Sequence, residues 1–244
     1  MATTVFASSN DSRMNSGGEA AWADARGDVS SASPFFSTTA TNYQFGVYNI
    51  LGGGRGGPAY SVVRSYFEFD LSSLSGTATS VDFKVYSDNL GSTSTNGSTA
   101  YLVEATALAG NGNDRGNIFS SGTTLVNNFG AFTISTTAGY HTLTLNSTGL
   151  SKVNAAIGSG TIAVGLIGYY DFTNTAPGNS SSGNYNKFHV YYSEYTGTSR
   201  DPKLEIEGLA AAGYGHDVIG VTSTNISTVI GIATADIDNV IDVS

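Results

Sequence analysis

Apolar and polar positions alternate with a period of two along much of this chain, the pattern of half-buried β-strands. The clearest segment is VVRSYFEFDL, Val62 to Leu71. It places Phe67, Phe69 and Leu71 on one face and Tyr66, Glu68 and Asp70 on the other. After a turn at Ser72–Thr79, SVDFKVYS repeats the pattern, with Val81, Phe83 and Val85 inward and Asp82, Lys84 and Tyr86 outward. Further strands are predicted at Thr4–Ser8, Ala20–Ala23 around Trp22, Tyr43–Ile50, Ala100–Thr106, Ala131–Ser135 and Tyr140–Asn146. Three more follow at Gly160–Tyr170, Lys187–Ser193 and Lys203–Glu207, while the glycines of Gly52–Gly57 read as a loop. One short helix is expected where Leu150, Val153 and Ile157 recur at helical spacing behind a cap at Ser147 or Thr148. Many short strands between turn signals predict an all-β fold, a jelly-roll-like β-sandwich over residues 1–207.

The pattern changes at Gly208. GLAAAGYG is small and flexible, and residues 208–216 read as a linker. Beyond it, VIGV at Val218, VIGI at Val229 and VIDV at Val240 recur every 11 residues, with Ile226 and Ile237 at the same interval. A repeated unit this short cannot bury its apolar face alone. An 11-residue period also fits a right-handed helical supercoil, but the β-branched residues and Gly220 and Gly231 disfavour helix. Short strands pairing with identical or partner chains are the preferred reading. Residues 217–244 are therefore expected to be a docking or oligomerisation tail acting through Val218, Val221, Ile226, Val229, Ile232, Ile237, Val240 and Val243.

Composition narrows the function classes. Only 12% of the 244 residues are charged, Gly numbers 31, and the formal charge is −9. Nucleic-acid binding needs Lys and Arg to displace counterions from phosphates, and no basic run exists; the same acidity opposes anionic membranes. With no cysteine, disulfides and thiolate metal sites are excluded. No secretion leader is read at MATTVFASSNDSRMN, and no apolar run has the length of a membrane span.

RSYFEFDLSSL (Arg64–Leu74), followed by ATSVDFKVYS, resembles the DNRLRE-type β-sandwich domains, which are related to some polysaccharide-binding modules. Those domains share an Arg-x-Tyr-Leu-x-Phe-Asp-Leu-Ser pattern. The resemblance continues at Tyr140–Ile157, where the family has a strand and a short helix, and at Ser199–Gly208, which is similar to its final Pro-x-Leu strand. It implies a sandwich over roughly residues 1–207 that serves as an attachment module in surface proteins and phage particles. The tail phrase VIGIATADI resembles repeats of phage structural proteins.

Catalytic chemistry finds little support in the residues. A nucleophilic hydrolase needs Ser or Cys with a nearby His and an orienting acid. His141, His189 and His216 are scattered over two predicted strands and the linker edge, and no G-x-S-x-G elbow is present. A glycosidase needs two carboxylates flanking a cleft; Glu68, Asp70, Asp82, Glu104, Asp171 and Glu194 are available, and spacing selects no pair. Glu68 and Lys84 read instead as cross-strand partners, and Asp70 as a turn-starting residue. No cofactor is implied. Calcium is the ion whose hard oxygen ligands are plentiful, with NGNDRGN (Asn111–Asn117) as a candidate structural site and a simple turn as the plainer reading. Arg26-Gly27-Asp28 resembles an integrin-binding tripeptide, read here as a chance match, and GGGRGG lacks the Gly-Lys-Ser/Thr of a phosphate loop.

Five tyrosines, Tyr169, Tyr170, Tyr191, Tyr192 and Tyr195, lie close to the last strands and are candidate glycan contacts, since aromatic rings offer an apolar face and a polar tip. The expected function is a non-enzymatic virion structural protein of a bacteriophage, as capsid decoration or tail-fibre component. It would be assembled in the host cytoplasm and exposed on the particle's outer face, with other virion proteins or sister copies as partners. The alternative is a carbohydrate-binding surface adhesin whose partner is a cell-surface polysaccharide.

Overall fold

A computed structural model describes residues 2–15, 19–27, 35–37, 42–51, 58–93, 99–105, 127–135, 137–178, 184–209, 228–229 and 232–233. Two antiparallel sheets face each other. The small sheet has the order β1-β13-β6-β10, built from β1 (Thr3–Phe6), β6 (Gly76–Ser87), β10 (Gly139–Thr144) and β13 (Lys203–Leu209). The large sheet runs β7-β12-β4-β5-β11-β8-β9. Its strands are β4 (Asn42–Leu51), β5 (Pro58–Asp70), β7 (Asn89–Thr93), β8 (Thr99–Ala105), β9 (Asn128–Thr133), β11 (Thr161–Gly168) and β12 (Asn184–Tyr191). Two short strands, β2 (Ser12–Asn15) and β3 (Phe35–Ser37), join it through β2 against β5. The fold is an all-β sandwich.

Period-two alternation builds the core directly. In the small sheet Val5, Leu204, Phe83 and Leu143 fall in one cross-strand row, so a single line of apolar side chains spans all four strands. The large sheet answers with Phe67, Phe69 and Leu71 from β5, Val164 and Leu166 from β11, Leu102 from β8 and Val190 from β12. Phe83 meets Phe67 at a centroid distance of 5.7 Å and Phe69 at 6.3 Å, closing the two sheets on aromatic contacts. At Gly130 (φ +141°) the layers leave no room for a side chain: an added Cβ would stand 2.9 Å from Leu143 Cδ1 of the facing sheet.

The helix α2 (Ser147–Ala156) closes one end, burying Val153. Its cap is Asn146, one residue before the expected position, whose side chain accepts the Thr148 and Gly149 N–H groups at 3.0 Å each. Two expected strands are corrected. Ala20–Ala23 leads into the helix α1 (Trp22–Gly27), because Ala-Trp-Ala-Asp-Ala-Arg holds good helix formers and no β-branched residue. The strand expected to run through Tyr170 stops at Gly168, and Tyr169–Thr173 forms the helix α3, capped by Asn174 in the left-handed region. Among the described residues no helix is long and apolar enough to cross a membrane.

Both added helices lie on the outer face of the large sheet. There Tyr66, Val103 and Ile167 pack under Phe172 and Tyr101, whose rings stack 3.7 Å apart, while Val62 and Ala25 pack with Trp22, Tyr60 and Tyr170. Tyr66 thus points away from the core, as alternation predicts, yet is covered. The Glu68–Lys84 pairing does not form, because β5 and β6 belong to opposite sheets: Lys84 binds Glu205 at 2.5 Å and Glu68 receives Asn10 at 3.4 Å. Asp70 is the turn starter it was expected to be, accepting the Ser72 N–H at 2.9 Å. In the tail, Thr228–Val229 (β14) and Ile232–Ala233 (β15) pair antiparallel, Val229 opposite Ile232. The other tail positions, Val218, Val221, Ile226, Ile237, Val240 and Val243, lie outside the described residues, as do His216 and Asn111–Asn117.

Candidate functional site

The outer face of the small sheet carries a shelf of tyrosines. Tyr86 on β6 and Tyr140 on β10 are cross-strand neighbours, and their rings meet edge to face at 5.5 Å. Tyr191, the last residue of β12, packs on Tyr86 at 5.4 Å, and Tyr195, just beyond it, packs on Tyr191 at 5.0 Å. The segment between β12 and β13 then brings Arg200 back over all three. Its guanidinium lies 4.9 Å from the Tyr86 centroid, 4.8 Å from Tyr191 and 4.9 Å from Tyr195, and donates to Tyr191 Oη at 2.6 Å. Lys203 covers Tyr140 at 4.6 Å, and Tyr140 Oη donates to the Asp201 carbonyl at 3.0 Å. Cation–π attraction and orthogonal ring packing hold this cluster as one unit.

A polar chain runs along its edge. Tyr191 Oη donates to Asp88, and the other oxygen of Asp88 meets His189 Nδ1 at 2.9 Å. Burial alone would push the Asp88 carboxyl up, but the bonds from Tyr191 and His189 outweigh it and hold the group below the usual Asp range. Burial pushes the Tyr140 hydroxyl up, with Asp201 and Glu205 adding to the effect. Burial opposes the charge on Arg200, yet the oxygens of Tyr191, Tyr195 and Tyr86 outweigh it and hold its pKa above the ordinary value. The half-buried rings of Tyr86, Tyr140 and Tyr195, packed around the buried Tyr191 and fringed by a guanidinium, an ammonium and hydroxyls, match what a sugar ring needs: apolar surface to pack on and polar atoms for its hydroxyls.

The five tyrosines expected from the sequence divide. Tyr191 and Tyr195 belong to the shelf, Tyr195 as a half-buried ring and Tyr191 as its buried support, 4% exposed under Arg200. Tyr192 does not: it is 1% exposed, its ring lies in the core 5.6 Å from Phe67, and its hydroxyl pairs with Ser65 at 2.6 Å, so it presents no face to a ligand. Tyr169 and Tyr170 pack edge to face at 5.5 Å on α3, over the large sheet. Tyr86, Tyr140 and Arg200 were not singled out by the sequence. The outward phase of Tyr86 was a signal for one of them; the other two come from segments distant in sequence.

The remaining candidates are structurally engaged. Asp171, 1% exposed, takes Arg64 at both carboxylate oxygens (2.6 and 2.9 Å) and Arg26 at 3.3 Å. Arg26 also donates to the Asp171 carbonyl at 2.8 Å and is 2% exposed, so the Arg26-Gly27-Asp28 tripeptide does not display its arginine. Burial lowers the Arg26 pKa, partly offset by Asp171. Glu104 binds Lys152 at 2.7 Å and also receives Asn127, and Asp82 accepts Thr144 at 2.6 Å. Glu194 stands beside Asp11. His141 is half-buried with Nε2 shielded and unpartnered, and burial pushes its pKa down. No protein-family model matches the chain, and no curated protein matches it either.

Proposed function

We propose that this chain is a non-enzymatic structural protein of a bacteriophage virion, a capsid decoration or tail-fibre attachment component exposed on the outer face of the particle. The sandwich, read as jelly-roll-like, is the displayed body, and residues 217–244 dock to other virion proteins or to sister copies. The observation that carries this reading is the change of plan after β13. A sandwich with its own core gives way to units recurring every 11 residues, each too short to bury its Val and Ile side chains alone. The likeness of Arg64–Leu74 and Ser199–Gly208 to attachment domains supports it. Deleting residues 217–244 is expected to leave the sandwich folded and to abolish incorporation into particles or self-association, read by light scattering and particle sedimentation. A truncated chain that assembles like the full one sinks the reading.

A second reading, a carbohydrate-binding adhesin or module, is favoured by the Tyr86–Tyr191–Tyr195–Arg200 cluster. On a glycan array, selective binding by the full chain should disappear in Tyr195→Ala and Arg200→Gln. It should persist in Tyr192→Phe, whose ring is in the core.

A further inference from the structure

Among the described residues the small sheet ends at β1, whose outer side pairs with no further strand. Ala7 donates its N–H to the Pro202 carbonyl at 2.8 Å, which fixes Ala7, Val5 and Thr3 as the positions whose backbone faces β13. Thr4 and Phe6 therefore turn their N–H and C=O groups away from the sheet. The side chains at this edge are as unfinished as the backbone. Val5 ends the apolar row of Leu204, Phe83 and Leu143 and is only half-buried. On the outer side Phe6, 39% exposed, is the one large hydrophobic residue left in solvent among the described residues. It shares its cross-strand row with Lys203 and Lys84. Edge strands are ordinarily blunted by charge, proline or a bulge, and Thr3–Phe6 carries none of these.

Such an edge accepts a strand that is apolar on its inner face and acidic on its outer one, and the chain carries one. From Asp236 to Val243, Ile237, Ile241 and Val243 share one phase, while Asp236, Asp238 and Asp242 share the other with Val240. The two earlier repeats have glycine at Gly220 and Gly231, and around Gly231 the strands β14 and β15 turn back on each other. In the last repeat Asp242 replaces that glycine, so the residue that favours the turn is gone. Charge agrees: residues 210–244 hold Asp217, Asp236, Asp238 and Asp242 and no Lys or Arg, opposite in sign to Lys84 and Lys203. The tail also leaves from beside the edge, because it continues β13, the neighbour of β1.

We propose that the last repeat of one copy, Asp236–Ser244, adds as a further strand to the β1 edge of a second copy of this chain. The inference rests on residues 217–244 being a docking tail, and it names the surface on which that tail docks. Every pairing in the small sheet is antiparallel, and the added strand continues the pattern. With Val240 opposite Phe6, Ile241 falls opposite Val5 and Asp242 opposite Thr4. Phe6 and Thr4 then exchange backbone bonds with Val240 and Asp242. Ile241 extends the core row beyond Val5, and Val240 covers Phe6. Asp238 and Asp242 lie on the outer side, where Lys203 and Lys84 stand. The contact joins two different surfaces, tail and edge, so copies link head to tail into rings or chains.

Two full-length variants test this: Phe6→Glu spoils the edge, and Ile241→Asp spoils the strand that is to join it. Thr4→Pro, which removes only an outward N–H, stands in for Phe6→Glu if circular dichroism shows that variant unfolded. Light scattering of the unaltered chain is expected to give a mass that grows with concentration. Each variant alone should self-associate at least about tenfold more weakly. Mixed, Ile241→Asp supplies a sound edge and Phe6→Glu a sound tail, so the pair should form a one-to-one dimer of twice the mass of one chain. Self-association kept in full by Phe6→Glu or Thr4→Pro overturns the proposal. So does a full chain that is monomeric at every concentration, or a mixture that does not complement. Deleting residues 217–244 separates the two failures: if the deletion still abolishes assembly the tail docks elsewhere, and if it changes nothing the docking tail itself is refuted.

Discussion

Asp171→Ala tests the outer layer of the large sheet at its most expensive point. The substitution removes the carboxylate that Arg64 grips with Nε at 2.6 Å and Nη2 at 2.9 Å and that Arg26 approaches at 3.3 Å. Two guanidiniums, 1% and 2% exposed, then remain buried with no counter-charge from that position. Removing one partner of a buried ion pair costs about 3–5 kcal/mol, because the surviving charge keeps its desolvation penalty. A domain stable by roughly 5–15 kcal/mol loses a large share of that. Arg26→Met should behave differently. Arg26 and Arg64 share the Asp171 carboxylate, so deleting Arg26 leaves the Arg64–Asp171 pair intact and removes a charge whose pKa burial already lowers. Its cost should be nearer 1–2 kcal/mol, from the lost bond to the Asp171 carbonyl. Urea unfolding followed by far-UV circular dichroism gives both values. The single tryptophan adds a local probe: Trp22 lies on α1, and its Nε1 donates to Asn174 at the end of α3 at 3.0 Å. In Asp171→Ala the Trp22 transition should precede the sheet transition, since the two helices lose their shared anchor first. Equal costs for Asp171→Ala and Arg26→Met, or coincident transitions at an unshifted midpoint, would refute the reasoning.

Three further outcomes follow from the same geometry. Gly208→Ala should destabilise the chain by about 1–3 kcal/mol, since Gly208 has φ +86° and an added Cβ would stand 2.5 Å from Thr79 Oγ1 and 2.8 Å from its backbone N; thermal melting measures it. Tyr192→Phe should cost about 1–2 kcal/mol in urea by leaving the buried Ser65 hydroxyl without its 2.6 Å partner. Asp88 is held below its ordinary pKa, so its bonds to His189 and Tyr191 contribute stability that is present above the unfolded-state value and lost as pH falls through the folded-state value; Asp88→Asn should flatten that acid limb of the Tm-against-pH curve.

Period-two alternation made the core legible. Phe67, Phe69, Leu71, Val81, Phe83 and Val85 face the interior as their phase required, since each pleat turns successive side chains to opposite faces. Alternation does not say what covers the other face. Arg64 and Tyr66 carry the outward phase of β5 and are nevertheless buried, because α1 and α3 form a further layer there. Nor does local pattern choose a strand's sheet. Val62–Leu71 and Ser80–Ser87 read as neighbours, yet the chain crosses between layers and Lys84 finds Glu205 instead of Glu68. The tyrosines show the rule overlooked: neighbouring strand residues face opposite ways, so Tyr191 and Tyr192 divide between shelf and core. The rest of the shelf was beyond sequence reach, because Tyr140 and Arg200 become neighbours of Tyr86 only through strand register and a returning loop.

The two outer faces of the sandwich are therefore unequal, and the inequality bears on function. Over the large sheet, helices, aromatic packing and a buried Arg–Asp–Arg cluster use the outward side chains internally, so recognition there would have to begin by displacing α1 or α3. Over the small sheet, outward side chains stay half-buried at most positions, and the rings of Tyr86, Tyr191 and Tyr195 surround the Arg200 guanidinium. Holding Arg200 in place before a ligand arrives removes part of the side-chain entropy that binding would otherwise have to overcome. A partner approaching the tyrosine shelf would thus meet a pre-formed surface. If the proposed display on a particle or a cell holds, the face of the small sheet is the one that offers such a surface.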